Sequence, residues 1–70
     1  MSKLKEFRKS KKITQEGMAQ KMGITLSMYE KVESGRVGAS AKFMHRLKNA
    51  FNDADISKIF FADNSNNGAE

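Results

Sequence analysis

Apolar residues along the first sixty positions recur three or four apart rather than every second residue, the spacing of helices that bury one face. Leu4 and Phe7, with the stems of Arg8 and Lys11, share one side of a helix predicted over roughly residues 2–11. Thr14 opens a second helix. Its hydroxyl can accept from a first-turn amide, Gln15 and Glu16 follow, and Met18, Ala19 and Met22 form the buried stripe. Gly23 ends that helix, because glycine takes the left-handed conformation of many helix C-termini without a Cβ clash. Thr25 then caps a third helix with Tyr29 and Val32 inward and Ile24 in the corner, and Gly35 closes it. Ser40 caps a fourth helix with Met44, Leu47 and Phe51 inward, and a short fifth runs from Asp55 through Ile56, Ile59 and Phe60. The closing "DNSNNGAE" has too few apolar residues to offset the entropy of ordering, so residues 63–70 are expected to form a disordered tail. The predicted class is all-α: one compact domain over residues 1–62, a bundle of about five short helices.

The second and third helices stand about two residues apart, so they must meet at a sharp angle. The run from Gln15 to Ser34 reads as a helix-turn-helix, with apolar Met18, Met22, Ile24, Tyr29 and Val32, small Ala19 at the crossing and Gly23 in the turn. Each requirement is steric. A large side chain at Ala19 would push the helices apart, and a β-branched residue at Gly23 would strain the turn.

Charge and composition narrow the chemistry. The 70 residues carry a net charge of +5 and no cysteine, so neither disulfides nor thiolate metal sites staple the chain and a helical core must supply its stability. Residues 1–50 hold twelve Lys and Arg against Glu6, Glu16, Glu30 and Glu33, a balance of +8; residues 51–70 hold Lys58 against Asp53, Asp55, Asp63 and Glu70, a balance of −3. That asymmetry fits a polyanionic partner for the first fifty residues, or a solvated basic face. The basic start has no apolar stretch behind it, and nothing approaches membrane-spanning length, so a cytoplasmic location and no membrane partner are expected. His45 stands alone, with no ligand set for a metal. The serines lack an evident base with an orienting acid, Gly35 and Gly38 do not make a phosphate loop, and no enzyme or cofactor is expected.

The stretch "LKEFRKSKKITQEGMAQKMGITLSMYEKVESGR", continuing through "AKFMHRLKNAF" to "DISKIF", resembles the lambda-repressor/Cro-like (XRE) helix-turn-helix domain over about residues 3–61. The most telling pieces are Arg8, Thr14 with Gln15, "MAQKMGIT" and "YEKVESG". The resemblance implies a five-helix fold that places helix 3 in the major groove of double-stranded DNA, usually as a homodimer, in a transcriptional regulator, with repression the simplest mode. It assigns base reading to Leu26, Ser27 and Lys31, with Glu30 and Ser34 nearby, and phosphate contacts to Gln15, Thr25, Arg36 and Ser40. Helix N-termini suit anions because free amides and the helix dipole both favour them. The family also often pairs an arginine of helix 1 with a glutamate closing helix 3; those positions hold Arg8 and Glu33. Phe60 and Phe61 are candidate dimer contacts, with Phe60 inward and Phe61 more exposed. No small-molecule effector is expected.

Four features depart from the family pattern. Gly17 stands where glutamate is usual, removing half of a capping box. "GRVGAS" lacks the common proline, and the link "NDAD" is one residue longer than is usual. Leu26 and Met28 make the start of helix 3 more apolar than is usual, and core packing is the expectation for Met28. Those residues, with Phe60 and Phe61, motivate an alternative: a protein-interaction module of the same fold, such as the antitoxin-like partner of a toxin. A third possibility, attachment to a membrane surface through helix 1, has only Leu4 and Phe7 as anchors.

Overall fold

The structure is a computed structural model and describes residues 2–61; the expected tail, residues 63–70, lies outside the described residues. Four α-helices follow in order, α1 (Lys3–Ser10), α2 (Gln15–Met22), α3 (Leu26–Glu33) and α4 (Ala41–Ala50), and a π-helical turn at Ser57–Phe61 completes the fold. Every α-helix opens on a hydroxyl cap. Ser2, Thr14, Thr25 and Ser40 accept from the amides of Lys5, Gly17, Met28 and Phe43 at 3.0–3.1 Å, each satisfying one of the amides a helix start leaves unpaired. Gly23 (φ 73°) and Gly35 (φ 87°) end α2 and α3 in the left-handed region. At α2 the Ile24 amide donates to the Ala19 carbonyl (3.0 Å), closing the helix–turn corner.

α2 packs against both α3 and α4, and α1 packs against the π-helical turn. Leu4, Met18, Ala19, Met22, Tyr29, Phe43, Leu47 and Ala54 form the buried core. An aromatic column runs through it: Tyr29 stacks on Phe43 (6.2 Å between centroids), and Phe60 meets Phe43 edge-on (6.2 Å, 89°). Two sequence expectations need correction here. Phe43, not Met44, fills the core from α4; with Ser40 as cap, Phe43 and Leu47 fall four apart on the inner face and Met44 is only half-buried. The fifth helix is present with Asp55 at its start, as expected, but it is π-helical over Ser57–Phe61 rather than α-helical. Asp55 accepts from the Lys58 amide (3.1 Å) through its side chain and from the Ile59 amide (2.9 Å) through its carbonyl, and the segment before it is held by buried Ala54 and by Lys48 Nζ donating to the carbonyls of Asn52 and Ala54.

The ends of α1, α2 and α3 meet at one carboxylate. Glu33, 6% exposed, accepts from Arg8 Nε (2.8 Å) and Nη2 (3.4 Å), from Tyr29 Oη (2.7 Å) and from Gln15 Nε2 (2.8 Å). Arg8 also donates through Nη1 to the Ile13 carbonyl (2.9 Å), so a single guanidinium spans α1, the α1–α2 connection and α3. Burial by itself would raise the Glu33 pKa, but the hydrogen bonds from Arg8, Tyr29 and Gln15 outweigh it and hold the carboxyl below the usual range. Burial, followed by the hydrogen bond to Glu33, pushes the Tyr29 phenol far up, so it remains a donor.

Gly17 occupies a restricted place. A Cβ there would lie 2.7 Å from Ile13 Cγ2, a methyl on a stiff β-branched stem that is itself packed against the core.

Two predictions follow from this packing. Gly17→Ala gains up to about 1 kcal/mol of helix propensity, but overpacking against Ile13 costs ~1–3 kcal/mol. The variant is therefore expected to be no more stable than the parent, whereas in an Ile13→Ala background the same change stabilises; urea midpoints of the four proteins check this, and equal effects in both backgrounds would exclude the clash. For Glu33, the folded pKa lies below the unfolded value of about 4.3, so its contribution is complete above that pH and is lost as pH falls through the lowered folded value. Arg8→Ala leaves the carboxylate buried without its cation and is expected to cost about 3 kcal/mol at pH 7, and about 1 kcal/mol in a Glu33→Gln background. Denaturation midpoints between pH 7 and 3 should fall less steeply for Glu33→Gln than for the parent. Equal slopes would assign the acid loss to other carboxylates.

Candidate nucleic-acid interface

The outward side of α3 carries Ser27, Glu30 and Lys31, with the C-cap Ser34 in line, at spacings of three and four residues; all four are exposed. The opposite side holds Tyr29 and Glu33 in the interior, so the rotation of α3 about its axis is set from within. Thr25 stands at the start of the same helix, its hydroxyl accepting from the Met28 amide. Leu26 is placed differently. It is half-buried and lines a shallow notch with Glu16, Ala19, Gln20 and Ile24 between α2 and α3, so part of its surface closes that crossing.

The connection after α3 is tied to the end of that helix. The Lys31 carbonyl accepts from the amides of Arg36 (3.0 Å) and Val37 (3.2 Å) and from the Ser34 hydroxyl (3.2 Å). Lys31 and Arg36 therefore belong to one hydrogen-bonded unit with both side chains exposed. Ser40 caps α4 across a groove whose walls also include Thr25, so the starts of α3 and α4 border the same space. Gln15 begins α2, where the first-turn amides of Gln15 and Glu16 have no intrahelical acceptor. Its side chain is engaged by Glu33, leaving the carboxamide oxygen and one N–H for any further contact. Phe60 is half-buried against Phe43, whereas Phe61 is 47% exposed. Met28, expected in the core, is 43% exposed, because it falls beside Val32 at the edge of the buried stripe.

Two sets of basic residues differ in what they meet; besides these, Lys3, Lys5, Lys9 and Lys12 around α1 and Lys58 in the π-helical turn form no ion pair with another described residue. Arg8, Lys11, Arg46 and Lys48 are engaged within the fold: Lys11 pairs with Asp53 and lies over the Phe7 ring, and Arg46 Nη1 donates to the Met22 carbonyl (3.2 Å) at the end of α2. Lys11 holds the Asp53 carboxyl below its usual range. Lys21, Lys31, Arg36 and Lys42, on α2 to α4 and their connections, form no ion pair with another described residue. Spacing alone had no means of separating these groups. The partners of Arg46 and Lys48 are backbone carbonyls exposed by helix ends and a turn, which carry no residue-type signal. The Tyr29–Glu33 contact had one, since the two stand four apart on a helix.

Among the described residues no helix is long and apolar enough to cross a membrane, and no group of three His, Cys, Asp or Glu side chains is arranged to hold a metal ion. No curated protein and no solved structure gives a significant match to the chain. A helix-turn-helix family model matches residues 4–59, which span α1 to the π-helical turn and contain the capped α2–Gly23–α3 corner, the Glu33 cluster and the exposed side of α3. Five helical elements in the order and with the sharp α2–α3 turn described above agree with that match, and the chain belongs to the lambda-repressor-like (XRE-type) helix-turn-helix family of DNA-binding regulators.

Proposed function

We propose that the protein is a sequence-specific transcriptional repressor that lays α3 in the major groove and binds a near-palindromic operator as two copies. The observation that carries this reading is the exposed Ser27–Glu30–Lys31–Ser34 line, held outward by Glu33 on the opposite side of the same helix. Lys31 donates to guanine O6 or N7, Ser27 contacts either donor or acceptor edges, and Glu30 accepts from cytosine N4. Leu26 offers its remaining exposed surface to a thymine methyl.

Gln15, Thr25, Arg36 and Ser40 contact phosphates and fix the register. Gln15 and Ser40 do so at helix starts, where backbone dipoles favour the anion. Because the Arg36 amide is bonded to the Lys31 carbonyl, a phosphate held by Arg36 sets the position of Lys31 over the base edges. Two copies read half-sites about one helical turn, ~34 Å, apart. Occupancy of the operator then blocks polymerase, and such action takes place in the cytoplasm.

Selection of bound duplexes from a random pool tests the whole reading: a near-palindrome with two half-sites is expected, and failure to enrich any sequence would reject it. On the selected duplex, Lys31→Ala should lose about 1–3 kcal/mol and relax preference at one or two base pairs. Arg36→Ala should weaken selected and scrambled duplexes alike and reduce the log–log salt slope by about one phosphate, ~0.9. Fluorescence anisotropy at several salt concentrations measures both, and indistinguishable behaviour of the two variants would remove the division between reading and positioning.

A further inference from the structure

The α2–α3 corner, α3, the α3–α4 connection and α4 border one open groove of about 390 Å³. Its floor is apolar: Ile24 and Val32 are half-buried and Phe43 is buried, while Met28 and Val37, 43% and 40% exposed, stand at the mouth. Its charge is of one sign. Lys42 and Arg46, one turn apart on α4, supply cations, Thr25 and Ser40 supply hydroxyls, and no carboxylate lines the groove. Four other grooves on the surface each include a carboxylate, from Glu33, Glu16, Asp53 with Asp55, and Glu6.

The two cations differ in freedom. Arg46 Nη1 donates to the carbonyls of Met22 (3.2 Å) and Gly23 (3.5 Å), which ties that guanidinium to the α2 end of the groove. Lys42, near Ser40 at the start of α4, is exposed and forms no ion pair with another described residue. A DNA phosphate would use this rim but gain nothing from the floor. An apolar floor with a free cation at its edge matches a ligand with an anionic head and an apolar body. Size favours a small ligand over a protein. Ligand pockets begin at roughly 300 Å³, whereas a stable protein interface takes about 800 Å² from each partner, and Met28 and Val37 are the markedly exposed large apolar side chains that lie here.

We propose that this groove binds a small amphipathic carboxylate, of the class of medium-chain fatty acids, with its head against Lys42 and Ser40 and its chain over Phe43, Val32 and Ile24. Spacing along the chain gives no sign of such a site, because its apolar residues come from the corner, α3, the connection and α4. One consequence rests on the proposed function. Thr25 and Ser40 border the groove, so a filled groove withholds them from phosphates, and the carboxylate acts as an effector that releases the operator.

Decanoate is the probe, titrated without DNA into the full nitrogen-15-labelled chain and followed through backbone amide shifts. Saturable shifts are expected at Thr25, Met28, Val37, Gly38 and Lys42. Affinity should rise from hexanoate through octanoate to decanoate by up to about fourfold per buried methylene, and acetate should not bind. Lys42→Gln should bring decanoate down to the affinity of uncharged decanol, and Met28→Ser should flatten the dependence on chain length. Both positions are exposed, and unchanged circular dichroism melts would show that the variants fold. Absence of saturable shifts in the groove, shifts centred elsewhere such as at Phe61, or a decanoate affinity indifferent to Lys42→Gln would each overturn the proposal. So would an acidic peptide with a single leucine that binds where decanoate does not, which would give the groove to a protein partner. Since no DNA is present, any of these failures leaves the DNA-binding reading intact. With the selected duplex added, decanoate should lower the anisotropy of labelled operator; a complex that holds duplex and decanoate together would reject the competition alone.

Discussion

A single buried carboxylate sets the geometry on which the exposed side of α3 depends. Glu33 closes α3, and three donors from three different places in the chain converge on it: Arg8 of α1, Gln15 at the start of α2 and Tyr29 one turn earlier on α3. A charge removed from water is tolerated only when its lone pairs are satisfied, and no buried side-chain N or O atom among the described residues lacks a partner. The net stability of such a cluster is modest because desolvation opposes attraction. Its larger effect is on uniqueness, since α3 cannot rotate about its axis without leaving the carboxylate unpaired.

The remaining polar contacts are arranged around the same requirement. Four hydroxyl caps start the α-helices at defined residues, and Gly23 and Gly35 stop α2 and α3 within a residue of where the surface has to turn. Arg46 reaches from α4 to the carbonyl end of α2, where cations are favoured by the helix dipole. With eight-residue helices, too short to persist in isolation, the orientation of each depends on these end contacts as much as on the aromatic column between them. The two sides of α3 are thereby divided: one is buried in the interior, and the other is exposed to solvent.

Much of this was readable along the chain. The period of Leu4, Phe7, Met18, Met22, Tyr29 and Val32 marks the helices, and Thr14, Thr25, Ser40, Gly23 and Gly35 mark their ends, because caps and left-handed turns are local events decided by one or two residues. The choice between Phe43 and Met44 was not local. Both fit an inward stripe with Leu47, and the space between Tyr29 and Phe60, which admits a planar ring, selects Phe43. The π-helix at Ser57–Phe61 packs against α1, a contact between distant parts of the chain that the local pattern does not specify.

What the sequence by itself determined is thus the set of short helices, their boundaries and the surplus of positive charge, since period, capping and charge count depend on near neighbours alone. Only the tertiary structure decided which charges are engaged within the fold. Arg8, Lys11, Arg46 and Lys48 are drawn to a carboxylate or to carbonyls distant in sequence or exposed by turns, while Lys31 and Arg36 are left outward on one hydrogen-bonded unit. The physical reason is that a cation's partner is fixed by where helix ends and buried acids come to rest in space, and that placement exists only once the core has closed.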